Sequence, residues 1–271
     1  MIKKYSYMNK LRLLFLLLVI VNSYSSTYAF AEADEPGLPE NDFNRTFVGT
    51  INNKIDVVFS LKNKNGQLTG FYYYNKIGVE INLIGNINHG NVVLYELDYQ
   101  NIKRAKITCQ LLKNTFFGKW EDLSTGKLLP VQLKQTNQSI PLLPKTLIGT
   151  YRLAKEEGCN LTIEISKSKG GYYYHFKSTK RTLKGKVTFS RSLNEKVVYI
   201  NLNGIEWAGY RGDISRLDPE DEGQKIENLP TTVEGLLSDN EIIIQNYGNA
   251  MNSYTKLGEC SDEKYIHLKK Y

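Results

Sequence analysis

Histidine and cysteine are scarce in this chain, with three of each among 271 residues. Their placement excludes most of the chemistry those side chains support. His89, His175 and His267 lie far apart, none at ligand spacing from another. No His-Glu-x-x-His, Cys-x-x-Cys or Gly-x-Ser-x-Gly occurs, so the familiar zinc, thiol-redox and serine-hydrolase signatures are missing. Signals for helices are sparse as well. Neither a metal nor a cofactor is expected, and no catalytic residue can be assigned.

What is present begins with an export signal. Lys3, Lys4, Lys10 and Arg12 precede the apolar run Leu13 to Val21, and Ala29-Phe30-Ala31 supplies small residues at alternate positions. Residues 1–31 therefore read as a signal peptide cleaved before Glu32. Nine apolar residues fall well short of the roughly 20 that a membrane span needs, so no transmembrane segment is expected after cleavage. Four of the 35 basic residues lie in the signal and none of the 28 acidic ones, which leaves a net charge of +3. A charge that small and dispersed does not suit a nucleic-acid binder. The expected location is periplasmic or secreted.

An oxidising compartment suits the cysteines. Cys159 and Cys260 fall near the two ends of the C-terminal half, and we expect a disulfide between them. Closing a loop of that length stabilises by about 4 kcal/mol in the chain-entropy model. Cys109, in Lys-Ile-Thr-Cys-Gln-Leu-Leu, reads as a buried structural thiol on a strand.

The remainder reads as all-β: two tandem antiparallel small barrels or sandwiches. Residues 32–45 form an acidic, flexible lead, 46–135 a first β lobe, 136–145 a proline-containing linker and 146–271 a second lobe. Short alternating runs separated by turn residues support this, including Asn65-Gly66 and Asn88-His89-Gly90 as hairpin turns. The lobes repeat landmarks at equal spacing: Val48-Gly49-Thr50 with Ile148-Gly149-Thr150, Gly70 and Tyr72 to Tyr74 with Gly170 and Tyr172 to Tyr174, and Gly85 with Gly185. Leu111-Leu112 is expected to answer Leu236-Leu237. A duplicated unit is the simplest account.

Gly-Thr near the lobe's start, Gly-x-Tyr-Tyr-Tyr, Ile-x-Leu-Ile-Gly and Phe-Gly-Lys-Trp before Leu-Pro-Val-x-Leu together resemble a domain of uncharacterised exported bacterial proteins with small lipocalin-like β-barrel domains. The resemblance covers mainly residues 46–133. It implies an antiparallel barrel and carries no activity.

Several segments are candidates for binding. Glu206 and Trp207 stand in Ile-Glu-Trp-Ala-Gly-Tyr-Arg-Gly-Asp, where a carboxylate beside aromatic rings has the character of a sugar site and Asp213 could act as a second carboxylate. The run Gln245 to Tyr254 combines Asn246, Tyr247, Asn249 and Asn252, a Tyr/Asn/Ser/Gly mixture like that of antibody loops. Tyr73 and Tyr173 point away from their neighbours Tyr72, Tyr74, Tyr172 and Tyr174 on a strand, so one set faces a core and the other could line a rim. Lys177, Lys180, Arg181, Lys184 and Lys186 form a basic cluster suited to an anionic partner. Asp218 to Gly223 is an acidic loop without calcium-loop spacing.

The function expected from these features is that of an exported, non-enzymatic binding protein: an inhibitor, an immunity protein or an envelope-associated interaction module. Its partner would be a protein or an envelope component. A carrier of a small apolar ligand and an envelope polysaccharide hydrolase using Glu206 are the alternatives.

Overall fold

In the computed structural model, residues 41–153, 159–217 and 228–271 are described. The signal peptide, most of the acidic lead and the acidic loop at Asp218 lie outside the described residues.

Eight strands close the first barrel: β1 (Phe43–Ile51), β2 (Ile55–Lys64), β3 (Gln67–Tyr74), β4 (Ile81–Asn88), β5 (Asn91–Leu97), β6 (Lys103–Leu112), β7 (Thr115–Asp122) and β8 (Leu128–Thr136). They form a simple antiparallel meander, and β8 returns to pair with β1. The period-2 pattern decides which side faces in. In β2, Val57, Phe59 and Leu61 are buried, and in β5 so are Val92 and Leu94. Two-residue turns join the strands at one end. Asn65 and Gly66 both have positive φ, as do His89 and Gly90, the backbone that a tight hairpin requires and that glycine adopts without strain. β1 starts at Phe43, before the expected lobe boundary, because Phe43 packs on the core and the Asn65 amide donates to Asp42 Oδ1 at 2.8 Å.

The second barrel repeats the order with β9 (Gly149–Leu153), β10 (Leu161–Ser168), β11 (Gly171–Ser178), β12 (Thr182–Ser192) and β13 (Val197–Asn203). After an excursion through β14 (Gly209–Gly212), it continues with β15 (Thr232–Leu237) and β16 (Glu241–Gln245). A second excursion through β17 (Tyr247–Asn249), β18 (Asn252–Thr255) and a short 3-10 turn (Gly258–Cys260) leads to the closing strand β19 (Tyr265–Lys270). β19 pairs with β9. Ile205 lies just past the end of β13 and is buried where the chain leaves the barrel wall.

Two tandem all-β barrels are thus present, and most of the repeated landmarks fall on corresponding strands; Gly170, in the turn before β11, does not match Gly70 inside β3. Leu111-Leu112 ends β6, the sixth strand of its barrel, and Leu236-Leu237 ends β15, the sixth of the other. The tyrosine triplets, however, sit at opposite ends of the third strand: Tyr72–Tyr74 closes β3, whereas Tyr172–Tyr174 opens β11 just after the turn. Equal spacing in sequence does not give equal register: the turn into the third strand is two residues in both barrels, but three residues separate β1 from β2 and seven separate β9 from β10, which moves the second and third strands along the chain.

Both barrels belong to one compact unit. The β3–β4 loop docks on β12, where the Phe189 amide donates to the Ile77 carbonyl at 2.9 Å. Arg191 reaches across to Gly78 O at 2.7 Å, Pro141 O at 2.9 Å and Glu80 Oε1 at 2.9 Å. Its guanidinium lies 3.9 Å from the Tyr73 ring centroid. Leu143, in the expected linker, packs on the second core. No helix among the described residues is long and apolar enough to cross a membrane.

Candidate functional site

The two excursions of the second barrel meet. β14 pairs with β18 through Gly209–Thr255 and Tyr210–Tyr254, and β18 pairs with β17 through Tyr247–Thr255 and Asn249–Asn252. The result is a three-stranded sheet, order β14-β18-β17, separate from the barrel wall. It unites the segment around Trp207 with the amide-rich run, which the sequence keeps some 40 residues apart.

Trp207 is the hub. Its backbone amide donates to Pro230 O at 2.9 Å and its Nε1 to Thr232 O at 2.7 Å, so the ring is fixed against the barrel. Tyr254 lies tilted against it at 5.1 Å between centroids, and Tyr210 meets it edge-on at 6.0 Å. The Lys256 ammonium sits 5.5 Å from the Trp207 ring and 5.7 Å from the Tyr254 ring, within cation–π range. Lys256 is buried and donates to Glu234 O at 3.3 Å. Burial lowers its pKa, opposed by the negative charge of Glu234. The three aromatic rings remain half-buried. At the tip of the β17–β18 hairpin, Met251 is 72% exposed.

The base beneath this sheet is strongly braced. The expected disulfide joins Cys159 to Cys260. Asn246 is fully buried; its Nδ2 donates to Leu257 O at 3.2 Å and Cys260 O at 2.7 Å, and its Oδ1 accepts from the Leu257 amide at 2.7 Å. Arg181 pairs with Glu259 at 2.5 Å, and Lys180 donates to Gly258 O at 3.2 Å. Two members of the basic cluster therefore tie this base down, while Lys177, Lys184 and Lys186 are exposed. At Gly248 any Cβ would collide with Asn252 O and the Tyr254 ring.

The candidates from sequence divide accordingly. Trp207, Tyr247, Asn249 and Asn252 come together on or beside the small sheet. Asn246 is committed to the backbone beneath it. Asn249 Oδ1 accepts from the Met251 and Asn252 amides, both at 3.0 Å, and so shapes the hairpin tip. Glu206 is exposed, and Asp213 Oδ1 is engaged by the Ser215 amide and hydroxyl at 3.0 and 2.6 Å, which commits Asp213 to its own turn. Tyr73 is buried under Arg191 between the barrels, and Tyr173 lies on the outer wall opposite Lys186. Neither joins the sheet. Tyr210, Tyr254 and Lys256 were not singled out by residue type. Only the pairing of β14 with β18, which no local pattern announces, reveals their role.

Among the described residues no group of His, Cys, Asp and Glu could hold a metal ion. Cys109 stays a free, buried thiol with its pKa pushed up to about 12 by burial. Neither a family model, nor a curated protein, nor a solved structure matches this chain.

Proposed function

We propose that this chain is an exported, non-enzymatic binding protein that engages a protein partner through the small sheet on its second barrel. The observation that carries this reading is that the sheet lies outside the closed barrel and is flanked by a base held by the Cys159–Cys260 disulfide and the buried Asn246. The first barrel closes the same meander without any such addition. Trp207, Tyr210 and Tyr254 supply rigid aromatic area, the enriched currency of binding hot spots. Asn249, Asn252 and Ser253 supply adaptable polar groups around it. Met251 offers a deformable apolar tip. That combination of rigid aromatic area, adaptable polar groups and a deformable tip suits a polypeptide surface. Export rests on the N-terminal signal and agrees with a disulfide, which persists in oxidising compartments.

The test is affinity capture with the processed chain, using envelope and secreted proteins of the cell that makes it. Wild type should retain one stoichiometric partner. Met251→Asp, at an exposed tip that does not affect folding, and Tyr254→Ala should weaken retention at least about tenfold, equivalent to 1.4 kcal/mol. Tyr173→Ala, on the barrel wall outside the small sheet, should leave it unchanged. Equal retention by all four proteins, or capture of no stoichiometric partner, would refute the reading.

A further inference from the structure

A polar groove of about 460 Å³ lies on the first barrel where β8 ends and the linker begins. Its size is that of a small-molecule site. One side is a row of three hydroxyls: Thr46 of β1 stands directly opposite both Ser60 of β2 and Thr136 of β8. The strand neighbours Phe47 and Phe59 are fully buried, so alternation turns Thr46 and Ser60 outward. The linker supplies the other side with residues 137–140 and Leu142. That side is held in place, because Arg191 donates to Pro141 O at 2.9 Å and the Leu143 amide donates to Glu80 Oε1 at 3.4 Å.

The chain leaves the polar groups of this groove short of partners. Among the described residues neither the Thr46 nor the Ser60 hydroxyl makes a hydrogen bond. Thr136 Oγ1 accepts only from the Gln138 amide, at 3.2 Å. Gln135, which also lines the groove, has a buried side-chain oxygen with no partner. The sheet adds a backbone pair. The Asn52 amide donates to Pro130 O at 2.8 Å, and ladder alternation then turns the even-numbered residues of β1 toward β8. The ladder stops at Thr46 opposite Thr136, so the N–H and C=O of Asn44 meet the groove with no strand across from them. Arg45 brings a single charge. It is half-buried, lies 4.8 Å from the Phe43 ring centroid and has no ion pair among the described residues. No carboxylate is among the described residues that line the groove.

Hydroxyls and amides both donate and accept, and a guanidinium takes a carboxylate through two parallel hydrogen bonds. Ile140 and Leu142 add an apolar strip that suits the C–H face of a ring. The open edge is one residue long, too short for the main-chain ladder that an added peptide strand needs. We propose that this groove binds an acidic sugar of monosaccharide size, with its carboxylate on Arg45 and its hydroxyls on Thr46, Ser60 and the Asn44 backbone. The site is independent of the small sheet.

Titration calorimetry of the full processed chain with glucuronate and galacturonate tests this. Glucose is the uncharged match, and cyclohexanecarboxylate is the match without hydroxyls. At least one sugar acid should bind saturably, and both matches at least about tenfold more weakly. Arg45→Gln should weaken the sugar acid by about tenfold and bring it level with glucose. Ser60→Ala removes one outward hydroxyl and leaves the core untouched; it should weaken binding severalfold. Both variants should keep the Trp120 emission of wild type, which shows the barrel folded. Equal binding of the sugar acid and either match, undiminished affinity in either variant, or no saturation by either sugar acid up to about 10 mM would overturn the proposal.

Discussion

The two barrels share strand order but finish the same end differently. In the first, Glu96, the penultimate residue of the fifth strand, is buried and accepts hydrogen bonds from Tyr72 and Trp120. In the second, Leu202 holds the penultimate position of the fifth strand and is buried in apolar surroundings. Ile205, Leu257 and Cys260 close over that end, and the disulfide and the small sheet stand above them. The lesson is that an eight-stranded meander needs neither addition to close. What each barrel carries at this end is therefore separable from what folds it.

The chain's two tryptophans make the comparison measurable, because Trp120 reports on the first barrel and Trp207 on the second. The largest effect should come from Cys159→Ala with Cys260→Ala. The disulfide spans a sequence separation of 101 residues, and its loss should cost about 4 to 5 kcal/mol. In guanidinium titrations the Trp207 transition should fall steeply while the Trp120 transition stays nearly in place. A joint shift of equal size would show that the barrels unfold as one and that the contrast is only geometric. Asn246→Ala comes next. It strands the Leu257 amide and two carbonyls in a sealed site, at roughly 3 kcal/mol, again read at Trp207.

The smallest effect concerns the first barrel alone and changes with pH. Burial raises the pKa of Glu96, the hydrogen bonds from Tyr72 and Trp120 partly oppose this, and the Asp122 charge adds to it. A carboxyl whose folded-state pKa lies above its unfolded value contributes stability that is complete below the unfolded pKa and is lost as pH rises through the folded one. The Trp120 transition of wild type should therefore lose ground to that of Glu96→Gln on moving from acid to neutral pH. Because both proteins retain Asp98 and Asp122, whose pKa values are lowered by hydrogen bonding, their opposite contributions cancel in the difference. A constant difference across pH would show that Glu96 does not titrate as its burial implies.

The strands were largely legible in sequence, since alternation and two-residue turns are local. The turns at Asn65-Gly66 and His89-Gly90 stand where the pattern placed them, and the pairing of Cys159 with Cys260 followed from their position in one lobe. The site was less legible. Tyr210 and Tyr254 meet only through a sheet whose strands are remote in the chain, and Lys256 bears no local mark at all. Glu96 sits in an alternating strand, Val-Val-Leu-Tyr-Glu-Leu, where its phase is the sole hint that it points inward. Asn246 resembled a binding residue because amides that contact a ligand and amides that satisfy backbone are the same residues.

Chain order gives the inter-barrel contact a further consequence. Residues 75–80 emerge well before β12 during synthesis, and amino-terminal units tend to fold first. The completed first barrel therefore offers the Ile77 carbonyl and the Glu80 carboxylate as a ready template when Phe189 and Arg191 arrive. A truncation ending near residue 136 should remain folded on its own, whereas the second barrel produced alone would lack the edge against which its fourth strand aligns.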